Sequence, residues 1–256
     1  MDDSQTLIDW TTGPASPILQ AGDLHLWRLK FDDLKDHFKS FQQILSSDEL
    51  TKAHQYHFTA DQEKYIIGRA ATREILSRYL KTTPASIIFS YNNFGKPYLN
   101  NTDLHFNVSH TKSTLLLAIT KGHPIGIDIE DCQPKLNFLS VAKTFCNDTE
   151  YQKLLSIETA HLNLAFYRCW TRKEAVLKAI GHGLFFPLDA LEVTFLPQET
   201  AHGKNLSHTD YPESSWEIIE IIPEPDCLAA IAVVKKPDQL LFYSFKSTQQ
   251  IKCMPS

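Results

Sequence analysis

The sequence has few cysteines, no excess of basic charge and no long apolar run. Its five cysteines are an odd, scattered set without a C-x-x-C pair, which argues against a disulfide framework and a cysteine-rich zinc site. The net charge of −5 gives no overall field that would draw the protein onto nucleic acid or anionic lipid. Apolar runs such as residues 228–234 are too short to cross a bilayer, and the acidic, polar start lacks the order of a signal peptide. We therefore predict a cytoplasmic protein with reduced thiols and with neither a nucleic-acid nor a membrane partner.

Two common nucleotide-binding signatures are also missing. The chain contains neither a G-x-x-x-x-G-K-[ST] loop nor a G-x-G-x-x-G turn, so the ordinary nucleotide-triphosphate and dinucleotide folds have no support. Its 256 residues and 43% apolar content are sufficient for one large domain or for two half-size ones.

Helical and strand patterns follow each other twice along the chain. A polar leader, residues 1–22, is expected to be loosely held. The strand LHLWRL precedes helices whose starts carry Ser46 with Glu49, and Thr59 with Gln62, at capping-box spacing. Strand patterns then run from SIIFSY to PIGIDIE. The order predicts a first α+β half over residues 23–123.

The second series begins with helical spacing between residues 138 and 180, which Gly181 is placed to end. Four strand patterns follow, with a polar loop from about residue 203 to 215. This predicts a second α+β half over residues 124–256. Two short echoes support the repeat: F-x-x-D-x-E occurs at residues 58–63 and 145–150, and Arg73-Glu74 with Arg78 parallels Lys173-Glu174 with Lys178.

The segment PIGIDIE places two carboxylates on one side of a strand. Ile125, Ile127 and Ile129 alternate with Gly126, Asp128 and Glu130, so both acids face away from the isoleucines. Their repulsion is relieved by water, by a basic partner or by a cation, and an all-oxygen site favours magnesium. A solvated edge strand and a metal site both explain this segment.

Polar groups in two further segments could contact a phosphorylated ligand. In WTRKEAVLKAIGHGL, Glu174 and Lys178 lie four residues apart, either as a helix-stabilising pair or as a metal ligand beside a phosphate cation. Lys96 and Pro97 lie at a Gly-Pro turn, and Ser109-His110 ends a strand. Consecutive extended residues point in opposite directions and no G-x-S-x-G elbow is present, so phosphate contacts explain Ser109 and His110 better than a hydrolase dyad.

The densest basic region lies in the first half. Arg69 and Arg73 repeat four residues apart, with Lys52 and Lys64 nearby in sequence. Such a cluster is either a solvated helix face or the contact for a terminal phosphate.

Taken in order, FGKPYL, FNVSHT, GIDIE and WTRKEAVLKAIGHGL resemble the signature of the Sfp-type 4′-phosphopantetheinyl transferases. The resemblance covers residues 23–196. It implies a pseudo-twofold monomer of two α+β halves, with coenzyme A in the cleft between them. It also implies transfer of the 4′-phosphopantetheine arm to a serine of an apo acyl or peptidyl carrier protein of fatty acid, polyketide or peptide synthesis, with release of 3′,5′-ADP.

The resemblance also implies roles for individual residues. Asp128, Glu130 and Glu174 correspond to a magnesium site, and catalytic roles fall to Glu174, Lys178 and His110. The implied coenzyme A contacts are Lys52, Lys64, Arg69, Lys96, Pro97, Ser109, His110, Asp128, Glu174 and Lys178. Glu49 departs from the pattern, because some members carry a lysine there among the 3′-phosphate contacts.

The loop and helix start at Lys135, Leu136 and Phe138 lie where the family meets its carrier protein. Two alternatives remain open: a non-catalytic module that binds coenzyme A or a carrier protein, and a divalent-metal hydrolase of another diphosphate.

Overall fold

The computed structural model describes residues 8–133, 137–183, 186–205 and 215–247, and it shows a mixed arrangement of helices and sheets. The α-helices in these ranges are α1 Phe38–Gln42, α2 Ser47–His54, α3 Thr59–Leu80, α4 Phe138–Ala142, α5 Asp148–Leu155 and α6 Thr159–Ile180. The strands are β1 Thr11–Thr12, β2 Asp23–Lys30, β3 Phe89–Tyr91, β4 Pro97–Leu99, β5 Leu104–His110, β6 Thr114–Lys121, β7 Ile125–Asp131, β8 Leu191–Val193, β9 His202–Asn205, β10 Ser215–Ile221, β11 Cys227–Val233 and β12 Gln239–Ser244. The α+β class predicted from the sequence is confirmed.

The described strands form two five-stranded sheets and one two-stranded ribbon. The first sheet has the order β1-β12-β2-β6-β5, and the second has the order β7-β11-β10-β9-β8. Strands β3 and β4 form the ribbon. We call the first sheet, the ribbon and α1 to α3 the first half, and the second sheet with α4 to α6 the second half.

The predicted division at residue 123 separates the helices and most strands, but β12 lies in the first sheet. It pairs in parallel with β2 on one side and with β1 on the other. The chain thus returns to the first half after completing the second.

Three apolar cores hold these layers together. Residues of α3 pack with Trp27 and Leu29 of β2 in one core, and residues of α6 pack with the second sheet in another. A third core lies between the sheets, where Ile125, Ile127 and Ile129 meet apolar residues of the first sheet. The predicted alternation along β7 therefore buries the isoleucines between the sheets and turns the acids toward α6.

The two halves repeat one helical pattern. Helices α3 and α6 each have 22 residues, and each follows an eight-residue helix that starts with a capping box. The acid of each box reaches the long helix: Glu49 lies 2.8 Å from Arg73, and Glu150 lies 2.7 Å from Lys173. The Arg73-Glu74-Arg78 echo therefore falls at equal positions in the two long helices.

The F-x-x-D-x-E match does not mark equivalent positions in the two halves. By its contacts, Glu150 corresponds to Glu49 and not to Glu63.

The first half buries its copy of the acid–base pair. Glu74 and Arg78 form an ion pair of 3.2 Å, and both residues are buried. Arg78 also donates to the carbonyl oxygens of Pro14 and Lys246, and Ser247 Oγ donates to Glu74. Segments near the two ends of the described chain, at Pro14 and at residues 246–247, thus cover this position.

Three expectations from the sequence need correction. Residues 8–14 are not loosely held, since β1 pairs with β12 and the guanidinium carbon of Arg28 lies 4.6 Å from the Trp10 ring centre. Residues 1–7 lie outside the described residues. Helix α3 begins after Phe58 without a side-chain cap, so Thr59 does not form a capping box. The expected loop near Gly203 contains β9, which pairs with β8 and β10.

None of the described helices combines the length and the apolar composition that crossing a bilayer requires.

Candidate active site

Strand β7 and helix α6 meet at backbone distance. A Cβ atom added to Gly126 would lie 1.9 Å from the Ala175 carbonyl oxygen and 2.3 Å from the Ala179 nitrogen. Any larger residue would therefore force the two elements apart. Glycine at this position lets the polar side of β7 lie directly against the helix that carries Glu174 and Lys178.

Helix α6 presents a polar residue to β7 at every fourth position. Trp170, Glu174 and Lys178 follow this spacing and line one cavity of about 420 Å³ together with Asp128 and Glu130. The same cavity is bounded by the end of strand β5 in the first half. The site therefore lies between the two halves.

The lysine of this face pairs across the cavity. Lys178 Nζ lies 2.6 Å from Asp128 Oδ1 and donates to Ser109 Oγ at 2.9 Å. Of the two interpretations of Glu174 with Lys178, a helix-stabilising pair is thus the weaker, because the ammonium group is engaged with β7 and β5.

Strand β5 contributes Ser109 and His110 on opposite sides, as expected for consecutive extended residues. Ser109 is buried, donates to Asp128 Oδ1 at 3.1 Å and accepts a hydrogen bond from the Ile129 nitrogen. His110 is exposed and lies with its ring 6.2 Å from the ring of Phe31. Ser109 therefore orders the carboxylate and lysine, while His110 remains open to a ligand.

Trp170 is a site residue that the sequence analysis missed. Its indole nitrogen donates to Glu130 Oε1 at 3.0 Å, and its ring packs edge-on against Phe145. The signal was its position four residues before Glu174 on the same helix face. The tryptophan thus fixes the orientation of one of the three acids.

The three carboxylates are crowded and short of partners. Asp128 Oδ2 and Glu174 Oε1 are buried and have no hydrogen-bond partner among the residues that the structure describes. Burial, followed by repulsion from Asp128, raises the pKa of Glu174 to about 7 and also raises the pKa of Glu130. Since only Lys178 offsets three acids in this cavity, the arrangement is suited to a cation.

The oxygen atoms of these acids do not form a closed ligand cluster. Among the described residues, only Cys146, Glu150 and Cys169 bring three potential ligand atoms within 4.8 Å of one another. That cluster is structural, because Glu150 pairs with Lys173 and burial raises the pKa of the Cys169 thiol well above its usual value. The wider spacing at the carboxylates fits magnesium, which takes few protein ligands and completes its shell with water and phosphate oxygens.

A second cavity continues from the first into the first half. It has a volume of about 290 Å³, and Val108 and His110 line both cavities. Its walls bring together several residues named from the sequence, namely Lys64, Arg69, Pro97 and His110. Lys52 instead lines a neighbouring cavity, which shares Tyr65 with this one, and its Nζ lies 5.6 Å from the Tyr65 ring centre.

Glu49 explains the departure from the family pattern. It is buried in the capping box of α2, where it binds Arg73 and lies 3.4 Å from Arg69 Nε. Arg69 also donates to the Tyr91 hydroxyl. Thus Glu49 holds an arginine at the cavity edge and Arg73 is committed to the interior, so the solvated-face interpretation of this pair is wrong.

The structure does not bring Lys96 to either cavity. Its ammonium group instead donates to the backbone carbonyl oxygens of Ile125 and Ala179. The neighbouring Pro97 does line the first-half cavity.

Two of the three residues expected to contact the carrier protein, Lys135 and Leu136, lie outside the described residues. The Phe138 ring packs against Phe166 and Tyr167 and is not a free surface group. Among the described cysteines, Cys146, Cys169 and Cys227 are buried free thiols and Cys132 is a half-buried one, while Cys253 lies outside the described residues.

Comparison with known proteins links both halves to one activity. A family model described as the 4′-phosphopantetheinyl transferase superfamily matches residues 124–232, and a model described as its N-terminal part, "4′-phosphopantetheinyl transferase, N-terminal", matches residues 30–122. The chain is 33% identical over 228 residues to the 4′-phosphopantetheinyl transferase HetI of Nostoc sp., covering 88% of this chain and 93% of that protein.

Two further relatives carry related names. The 4′-phosphopantetheinyl transferase Sfp of Bacillus subtilis is 33% identical over 154 residues, which cover 60% of this chain and 67% of that protein. The L-aminoadipate-semialdehyde dehydrogenase-phosphopantetheinyl transferase of Xenopus laevis is 27% identical over 208 residues, covering 75% of this chain and 68% of its own length.

Proposed function

The chain belongs to the 4′-phosphopantetheinyl transferase superfamily, and from this premise we propose that it transfers the 4′-phosphopantetheine arm of coenzyme A to a serine of an apo acyl or peptidyl carrier protein. The observation that carries this proposal is the cavity in which Asp128, Glu130, Glu174 and Lys178 meet at the junction of the two halves. No contact among the described residues favours a non-catalytic binding module or a diphosphate hydrolase.

We assign magnesium to Asp128, Glu130 and Glu174. Support comes from the unpartnered buried oxygens of Asp128 and Glu174 and from the hard, all-oxygen donor set. Bound there, magnesium would neutralise the charge of the diphosphate and polarise its oxygens.

The remaining groups of the cavity are arranged to receive a diphosphate. Lys178 supplies the positive charge, and its ammonium group is hydrogen-bonded to Ser109. His110 lines both cavities. We propose that Lys178 and His110 stabilise charge that grows on the leaving phosphate, as preorganised groups do in phosphoryl transfer generally.

The reaction forms one bond and breaks one bond at phosphorus. The carrier serine oxygen bonds to the phosphorus nearest the pantetheine arm, and the bridging oxygen leaves with 3′,5′-ADP. We propose that Glu174 takes the serine proton, with support from burial, which raises its pKa to about 7, close to the pH at which a general base must act. Its roles as base and as metal ligand remain alternatives.

We place the adenosine end of coenzyme A in the first-half cavity, where Lys64 and Arg69 would meet the 3′-phosphate and Pro97 would form an apolar wall. Lys52 would approach from the neighbouring cavity. Lys96 is not included in this set, because its ammonium group is bound to backbone carbonyls.

We further propose that the enzyme acts as a cytoplasmic monomer. One chain supplies every residue of the candidate site, with strand β5 from the first half and β7 with α6 from the second.

Transfer is tested by incubating the protein with coenzyme A, magnesium and an apo acyl carrier protein, followed by mass spectrometry of the carrier. The expected result is a carrier that gains the phosphopantetheine arm, with no gain after chelation or for Asp128→Ala. Cleavage of coenzyme A without modification of the carrier would instead indicate a hydrolase, and no chemical change would indicate a binding module.

A further inference from the structure

A turn of the first half holds two elements of the second half together. Lys96 Nζ donates to the Ile125 carbonyl oxygen at 3.1 Å and to the Ala179 carbonyl oxygen at 3.0 Å. Ile125 begins β7, and Ala179 lies in the last turn of α6. One side chain therefore links the strand that carries two of the carboxylates with the helix that carries the third.

Asn92 makes a second link from the same turn. Its Nδ2 donates to the Gly181 carbonyl oxygen at 2.7 Å, while its Oδ1 accepts hydrogen bonds from the backbone nitrogens of Phe94 and Lys96. The side chain of Asn92 thus shapes the turn and binds the end of α6 at the same time.

Gly181 allows this close approach. It has a φ of +84°, and a Cβ atom there would lie 3.0 Å from Asn92 Nδ2 and 3.2 Å from Lys96 Cδ. A side chain at residue 181 would strain the backbone and push the turn away. The positive φ and the lack of a side chain at Gly181 therefore both allow the end of α6 to contact the turn.

The contacts also have a physical reason on the helix side. The last carbonyl groups of a helix lack partners within the helix, and a positive charge is favoured at that end. At Ala179, the ammonium group of Lys96 provides both the missing hydrogen-bond donor and the positive charge. Burial lowers the pKa of Lys96 to about 8, and none of the described carboxylates pairs with it. The contact therefore has a cost in desolvation.

We propose that Lys96 and Asn92 are positioning residues, which hold β7 against the last turn of α6 and so keep Asp128, Glu130 and Glu174 converged. The inference deepens the proposed function and rests on it for the metal. It gives the turn of residues 92–97 a role in assembling the site rather than in contacting phosphate.

The main test is Lys96→Met, with Lys121→Met as the matched control. Lys121 is a lysine of the same half that pairs with Asp103 at the surface. Hydrogen exchange of the metal-free proteins is expected to be about tenfold faster across residues 176–181 in Lys96→Met than in the wild type, and unchanged in Lys121→Met.

Binding of Mn²⁺ in the absence of coenzyme A, followed by electron paramagnetic resonance, separates positioning from charge. Positioning predicts affinity at least about threefold weaker in Lys96→Met, because the acids lose their support. Loss of a positive charge alone would make Mn²⁺ binding tighter, and loss of a phosphate contact alone would leave it unchanged.

Asn92→Ala provides an independent variant that keeps the lysine. We expect the same two changes, smaller in size. Wild-type exchange rates and Mn²⁺ affinity in both variants would overturn the proposal. Failure of the wild type to bind Mn²⁺ would count against the proposed metal site, and hydrogen exchange would still decide the role of the turn.

Discussion

Replacing Glu174 by glutamine should stabilise the metal-free protein while abolishing transfer. Burial and the neighbouring Asp128 and Glu130 raise the pKa of Glu174 from 4.5 to about 7, although Lys178 opposes the shift. Each tenfold change in proton affinity corresponds to about 1.4 kcal/mol, so the ionised side chain destabilises the metal-free fold by about 3 kcal/mol above pH 7. Glutamine keeps the shape of the side chain and removes this charge.

The sign of the effect follows from the direction of the shift. Below pH 4.5 the acid is protonated in the folded and unfolded states and contributes nothing. As the pH rises from 4.5 to 7, the unfolded state loses its proton first, so the stability of the wild type falls. The advantage of Glu174→Gln should therefore be about 1.4 kcal/mol at pH 5.5, less than half of its full size, and nearly complete at pH 8.

Urea unfolding in the presence of a chelator measures this difference. At pH 8 the variant should unfold with a free energy about 3 kcal/mol larger than the wild type, or with a melting temperature higher by roughly 6–12 °C. Glu217→Gln, at an exposed position of β10 in the same half, is the control and should change little. Equal or lower stability of Glu174→Gln at pH 8 would refute the crowding of the three acids.

Three further predictions concern the ligands. Lys178→Ala should bind coenzyme A more weakly and turn over more slowly, and an unchanged dissociation constant in calorimetry would contradict the phosphate contact. Trp170→Phe keeps an aromatic ring but loses the donor to Glu130, so Mn²⁺ affinity should fall about tenfold in a titration, since a hydrogen bond to a charged group is worth about 1.5–3 kcal/mol. If Lys64 and Arg69 bind the 3′-phosphate, 3′-dephospho-coenzyme A should be used less well than coenzyme A, and equal turnover would exclude that clamp.

The parts of the site that the sequence predicted are those set by local periodicity. The alternation of PIGIDIE places Asp128 and Glu130 on one side of β7, and a spacing of four residues places Glu174 and Lys178 on one side of α6. Both statements need only the geometry of a single element. The repeat of helices and strands gave the two halves by the same local reasoning.

The parts that the sequence did not predict depend on contacts between distant elements. The partners of Lys96 belong to β7 and α6, which lie 29 and 83 residues further along the chain. The docking of β1 depends on β12, and the burial of Arg73 depends on Glu49 in another helix. Each of these contacts joins residues of different elements. A periodic pattern within one element therefore cannot predict it.

The position of β12 has a consequence for how the protein can be divided. In the sequence, the second sheet lies between β6 and β12, which are both strands of the first sheet. The second half is therefore an insertion in the first. If the chain were divided at residue 123, the N-terminal fragment would lack β12, and the C-terminal fragment would carry that strand without its partners β1 and β2. A circular permutant that moves β12 ahead of β1 would instead keep each half in one continuous stretch of chain.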